Sequence, residues 1–415
     1  MTVFTKNSHS TVIQCDMLMK NEDIPLKKVV YFTVFLIFIM LPVYVFPSGL
    51  VQPVDALILM VFLYTILTIN KMEVSLITPL LISFFLFTAW ALIINMGYFF
   101  STYDSYLLLA SSHLIYVFLF LLCFSILFYR LLSFNGSIIF LLTIILFSLF
   151  VPLILNKGQD IFSLKVRHTL SFNNPNQLAY FSGLMWAITL SLHRFYLSTS
   201  RNRLINVLMI LIFILSHFLM LLSASRAGIV SIILMDMIFI YSRSKKLLWI
   251  SVFPLLVLLV LNYQSFSSSY QGFVEQYKDT AIISRLLYSD IQKKLDERTE
   301  RLKEIKGIKM IIGKGKSRKE VSLTRAWGHK KPEIHNTLID TFYSYGVVGL
   351  IMFCIFLAFY LKSLTWNKYN LALFLSLFPF HISHNLIRFR LMWLFMAVLY
   401  GIYMIQFNCN KKGIT

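Results

Sequence analysis

Apolar runs of spanning length, parted by short polar breaks, recur from residue 29 to residue 407 and decide what this chain can be. A water-soluble core has no place for so many. Of 415 residues, 58% are AVILMFWYC and 13% are charged, against roughly 25% charged in an ordinary soluble domain. In hydrocarbon each backbone N–H and C=O must be paired within its own segment, so the runs read as helices. The expected fold is an all-α polytopic membrane protein of about twelve transmembrane helices, near 29–47, 54–69, 75–95, 106–129, 136–155, 177–192, 204–222, 227–241, 247–262, 340–361, 367–381 and 391–407.

Lys and Arg exceed Asp and Glu, 38 to 18. In a soluble protein such an excess points to nucleic acid; here its distribution reports orientation. With a cytoplasmic N-terminus, the inside segments carry sixteen basic residues and the short outside segments six: Lys157, Lys165, Arg167, Arg226, Arg388 and Arg390. The bias sets both termini inside. The expected organisation is a cytoplasmic tail (1–28), nine spans (29–262), a large periplasmic loop (263–339), three spans (340–407) and a cytoplasmic tail (408–415). The polar stretch before the first run lacks the layout of a cleaved signal, so the first span is expected to be an anchor. Within the loop, Ile282–Ile312 spaces apolar residues at helical intervals, which predicts an amphipathic helix on the membrane surface, over a cavity or simply solvated.

The outside arginines run against the positive-inside bias and so call for another explanation. Arg167 lies in KVRHTLSFNNPNQLAYF, Arg226 in LLSASRAGIV, and Arg388 and Arg390 in HISHNLIRFRLMW. A guanidinium keeps its charge and forks onto two oxygens, which suits a pyrophosphate at the membrane surface; snorkelling to headgroups or helix capping is the plainer reading. Asn-Asn-Pro-Asn-Gln at 173–177 predicts a proline-set turn with asparagine capping. His335 stands where the chain re-enters the membrane, able as an imidazole to accept a proton near neutral pH. His113 and His217 are expected to bond neighbouring helices.

The only carboxylate well inside a span is Asp236, and no histidine pair has zinc spacing, so no metal is expected. Cys15, Cys123, Cys354 and Cys409 offer neither a C-x-x-C pair nor a disulfide framework. Residues 311–317 are not a nucleotide loop, because the glycine required at position 310 is Met310.

In order along the chain, Arg167 with FNNPNQLAYF, SASRAG at 222–227, IIGKGKS at 311–317 and HNTLIDTFYSYGVVGL at 335–350 resemble the O-antigen polymerase and ligase superfamily. One departure is Asn174, where a glycine is common before Pro-Asn. The resemblance implies a metal-independent, cofactor-free, inverting glycosyltransferase of the bacterial inner membrane. Its partners would be an undecaprenyl-pyrophosphate-linked oligosaccharide, membrane lipids and a chain-length regulator protein, with no nucleic acid. Carried onto these residues, it gives Arg167 and Arg226 the donor pyrophosphate and His335 the acceptor proton. Arg285, Arg388, Arg390, Asn174, Asn176 and Asn336 become further substrate contacts. The second basic cluster, Arg388 and Arg390, favours a Wzy-type polymerase, which handles two lipid pyrophosphates, over a ligase that delivers glycan to lipid A core. A lipid-linked oligosaccharide flippase is a third reading, but it would need its cations deep in a central cavity.

Overall fold

The computed structural model describes residues 24–45, 52–134, 136–156, 158, 160–161, 163, 166–197, 202–245, 305–316, 336–383, 387 and 389–411. Among the described residues the secondary structure is helical, with no strand. The helices are α1 (Ile24–Met40), α2 (Pro53–Thr68), α3 (Lys71–Thr102), α4 (Ser105–Leu132), α5 (Ser137–Ile154), α6 (Pro175–Leu197), α7 (Arg203–Ser223), α8 (Arg226–Arg243), α9 (Ile308–Ile312), α10 (Thr337–Leu364), α11 (Lys368–Ser376), α12 (Phe378–Ser383) and α13 (Arg390–Lys411).

Every predicted span except the ninth coincides with a helix or, at the eleventh, with the pair α11 and α12. The ninth span (247–262) and most of the predicted loop helix lie outside the described residues. Among the described residues, 6 helices are long and apolar enough to cross a membrane: α3, α4, α5, α7, α10 and α13. That is fewer than the expected twelve, for identifiable reasons. Helices α1 and α2 have 17 and 16 residues, the eleventh segment breaks at Leu377, α6 carries Asn, Gln, Ser, Thr, His and Arg among its apolar residues, and α8 holds Arg226, Asp236 and Arg243.

Helix starts follow local chemistry. Asn70 Oδ1 accepts the Glu73 amide at 2.9 Å while Glu73 returns a bond to the Asn70 amide, closing a capping box at α3. Asn202, Ser225, Asn336 and Asn367 cap α7, α8, α10 and α11. At α6 the expected turn is present: Pro175 is the first helical residue, and Asn174 Oδ1 accepts the Gln177 amide at 3.0 Å.

Helices α6 and α13 are buried nearly all round, from Leu178 to Leu192 and from Leu391 to Ile402. A helix apolar on every side belongs at the centre of a bundle. Helix α13 lies along α4 and also meets α6; α7 packs on α6, and α3 lies between α4 and α10. The buried hydroxyls of Ser182, Thr189 and Ser191 on α6 donate to carbonyls three or four residues earlier, so these three polar residues are satisfied within the helix.

Cross-helix polar contacts join residues assigned to one side by the charge count. At one end Arg130 forks onto both oxygens of Glu73, at 2.6 and 2.7 Å, and onto Thr68; Arg243 meets His193 at 2.9 Å. At the other end Arg390 meets Asp55 and Arg167 meets Ser223. Mid-span, His217 Nε2 lies 2.8 Å from Asp236 Oδ2, and Trp186 donates to Asp236 Oδ1. His113 contacts the Ile387 carbonyl, so both histidines bond neighbouring elements as expected. Cys123 and Cys354 are free.

Candidate functional site

Helix α10 is broken. Its nominal span holds Gly346 at φ 68° and ψ −170°, so Thr337–Tyr345 forms a short helix and the apolar run after Gly346 a second one. A break at membrane depth frees carbonyls that hydrocarbon cannot satisfy. Three are met from outside the helix. The Lys314 amide donates to Tyr343 O at 3.2 Å, the Gly315 amide to Ser344 O at 2.9 Å, and Trp90 Nε1 on α3 to Tyr345 O at 3.0 Å. The 313–316 segment thus lies directly on the break, held also by Tyr98 Oη donating to Gly313 O at 3.0 Å. A Cβ at Gly346 would stand 2.1 Å from Ile311 O, and one at Gly313 2.3 Å from Ser344 O. Both glycines have positive φ, so each is required by backbone conformation and by the closeness of the two chains.

A second assembly forms where α6 begins and where α7 turns into α8. Arg167 Nε donates to Ser223 O at 3.0 Å and its Nη2 to Asn176 Oδ1 at 2.8 Å. The next residue, His168, donates its amide to Leu222 O at 3.0 Å. Arg226, three residues beyond Ser223, is the first residue of α8, with Ser225 as its cap. The structure therefore brings Arg167, Asn176 and the Arg226 turn together. The N-termini of α6 and α8 both open at this junction, and helix N-termini favour anions through their free amides and dipoles. Among the described residues the non-glycines with positive φ are Tyr103, Leu170 and Ala224. Two of these three border the junction, and such strain, about 1–3 kcal/mol each, concentrates at functional sites.

Other expected residues are placed differently. Arg390 donates from Nη1 to Asp55 Oδ1 at 2.7 Å, and its guanidinium lies 5.3 Å from the Tyr44 ring centroid. Asp55 also accepts Tyr116 Oη at 2.8 Å and the Gln52 amide at 2.6 Å. Arg390 is thus the cationic member of a largely buried ion pair. The pair adjoins the Arg167 junction through Tyr44 and Phe172, whose rings meet at a tilt of 46° with 5.2 Å between centroids. The Oδ1 atoms of Asn174, Asn176 and Asn336 are engaged by Gln177, Arg167 and the Leu338 and Ile339 amides. His335, Arg285 and Arg388 lie outside the described residues, although His335 immediately precedes the Asn336 cap in the chain. Among the described residues, no three His, Cys, Asp or Glu side chains group as a metal site would need.

Residues 208–354 match the family model Wzy_C, described as O-antigen ligase. That segment belongs to the O-antigen polymerase and ligase superfamily. The match takes in the Arg226 turn, the glycine segment on the helix break, His335 and the break itself; Arg167, the NNPNQ turn and Arg390 lie outside it. Members of the superfamily are membrane glycosyltransferase-like enzymes. No curated protein matches the chain.

Several residues that shape the site were given no site role in the sequence reading: Asp55, Trp90, Asn95, Tyr98, Lys316 and Asp340. The contacts that bring them to the site span 24 to 335 positions of chain, beyond the reach of helical periodicity. The signal within reach was the pair of carboxylates in first helical turns, Asp55 and Asp340, each at the edge of an apolar run.

Proposed function

We propose that this protein transfers a glycan from an undecaprenyl-pyrophosphate carrier to an acceptor hydroxyl at the periplasmic face of the inner membrane, with inversion and without a metal. The observation that carries the reading is the junction at which Arg167 is oriented by Ser223 O and Asn176 beside the Arg226 helix start. In the reaction, the acceptor oxygen bonds to the anomeric carbon as the carbon–oxygen bond to pyrophosphate breaks. The acceptor proton passes to His335, and the lipid pyrophosphate leaves with its developing charge held by the guanidinium groups. Preorganised positive charge at a leaving group is commonly the largest catalytic contribution. A base near neutral pKa adds roughly 10² to 10⁴ in rate.

The acceptor in this proposal is a second lipid-linked repeat unit, which makes the enzyme a Wzy-type polymerase acting with a chain-length regulator. The ligase reading, with lipid A core as acceptor, is favoured by one observation: Arg390, half of the basic pair assigned to a second carrier, is already bound to Asp55. Deleting the gene and running extracted lipopolysaccharide on a gel separates the two. Core bearing a single repeat unit supports the polymerase. Bare core, with long chains stranded on the lipid carrier, supports the ligase. The transfer chemistry has its own test: His335→Ala should bind the lipid-linked donor with little change and lose turnover, and a variant with wild-type turnover would remove the general base.

A further inference from the structure

Where the 313–316 segment meets α3, α4 and α10, it ends in a closed polar cluster. Lys316 Nζ lies 2.5 Å from Asp340 Oδ2, with both side chains more than nine-tenths buried. The Lys316 amide donates to Asn95 Oδ1 at 3.1 Å, and Asn95 Nδ2 reaches Ser111 Oγ at 3.3 Å. Asn95 is fully buried. A buried ion pair contributes little to net stability, because desolvating both charges offsets their attraction, but it fixes geometry strongly. This pair fixes one particular thing. Asp340 stands one turn after the cap Asn336, whose carbonyl accepts the Asp340 amide at 2.8 Å. One turn is about 5.4 Å along the axis, and His335 is the residue before that cap.

We propose that Lys316, through its ion pair with Asp340, is a positioning residue for the transfer reaction: it clamps to α3 and α4 the first turn of α10, the helix whose cap directly follows His335 in the sequence. The inference rests on the general-base role given to His335 above. It also gives the glycine segment a task that its glycines alone do not explain. Gly313 and Gly315 let the backbone lie on the helix break, and the residue that follows delivers a cation to the one carboxylate in the first turn. Among the described residues, the polar and charged groups on the packed elements include Asn95 and Tyr98 on α3, Ser111 on α4, Lys314 on the segment itself, and Thr337, Thr341, Tyr343 and Ser344 on α10.

The test compares Lys316→Met, Asp340→Asn and the charge-reversed double variant Lys316→Asp/Asp340→Lys in the purified full-length enzyme. The probe is undecaprenyl-pyrophosphate-linked glycan extracted from the producing cells. Each single variant should lower kcat by about 10², the scale set by a displaced catalytic group, with KM for the donor within about twofold. The pH profile adds a readout that a packing defect would not move. In Lys316→Met the Asp340 carboxylate, no longer balanced by the Lys316 ammonium, favours protonated imidazole, so the acid limb of the rate profile shifts to higher pH. In Asp340→Asn the ammonium, no longer balanced by the carboxylate, shifts it to lower pH. The reversed pair should return the limb to its wild-type position and recover at least tenfold in kcat.

Wild-type kcat in the singles overturns the inference, as does a loss confined to the amount of folded enzyme with the acid limb unmoved. Should the singles fail to fold, the reversed pair alone decides: folded with a wild-type limb and recovered activity it supports the clamp, and folded without activity it refutes it. A wild-type enzyme that transfers nothing from the lipid-linked donor would instead defeat the reaction itself, which separates that failure from this one.

Discussion

Two arginines at the same end of the bundle are held in different ways. The described hydrogen bonds of Arg167 reach a backbone carbonyl and an amide oxygen, both neutral, and these orient the guanidinium. Arg390 donates to the carboxylate of Asp55, itself shared with Tyr116 and the Gln52 amide, inside a cage that includes the Tyr44 ring. The contrast separates two uses of an arginine at this end of the bundle. An arginine positioned by neutral acceptors can present positive charge to an anion, whereas one closed onto a carboxylate joins helices, here α2 to α13. Arg130 on Glu73 shows the second use at the opposite end of the bundle, with both side chains almost fully buried.

The largest effect expected from this contrast is on turnover. Arg167→Ala and Arg226→Ala should each lower kcat by roughly 10² to 10³ while leaving the amount of folded protein and its melting temperature near wild type. Full activity in both variants at normal protein levels would erase the distinction from the anion side.

Next comes stability. Arg390→Ala strands the Asp55 carboxylate and should cost about 3 kcal/mol, seen as a lower melting temperature in detergent, with turnover per folded molecule little changed. Joint replacement, Arg390→Met with Asp55→Leu, should recover most of that loss. If the double variant folds well but makes shortened polymer, Arg390 has a carrier-binding task after all, and the second-carrier argument for a polymerase regains its footing.

A smaller change is expected from Arg226→Lys, which keeps the charge and loses the planar fork: roughly a tenfold fall in kcat. Lysine performing as well as arginine would leave simple charge, without a bidentate contact, as the requirement. Smallest of all, cysteines introduced at Ser268 and Ser317 should leave activity unchanged and label from outside intact inner membranes. Labelling only after permeabilisation would turn the whole junction towards the cytoplasm.

Much of the bundle could be read from the chain because its causes are local. Apolar runs located the helices, and Pro175 with Asn174 announced the start of α6. The departure from a glycine at 174 proves to be a gain in capping, since Asn174 supplies the acceptor itself. The arginine junction was legible in part: Arg167 and Arg226 stood out by running against the charge bias, but only folding shows that a carbonyl 56 residues away orients one of them. The break at Gly346 was invisible to periodicity, because a lone glycine in an apolar run is an ordinary helical residue until another backbone comes within 2.1 Å of where its Cβ would be. The reassignment of Arg390 was hidden for a similar reason: its carboxylate lies 335 positions upstream, and although Asp55 marks a helix start, nothing local links it to Arg390.

The helix break also has a consequence for biogenesis. A segment entering the bilayer with three unpaired carbonyls carries a penalty of several kcal/mol for each. Those carbonyls are answered by Lys314 and Gly315, made just before the segment, and by Trp90, made long before it. The tenth span can therefore settle in lipid only together with the chain end that precedes it, against a third span already in place. Synthesis order supplies the partners in the right sequence: the early hairpin of α3 and α4 precedes the 313–316 segment and the broken helix, which meet it together. A chain of uninterrupted spans would not tie one helix to its upstream connection in this way.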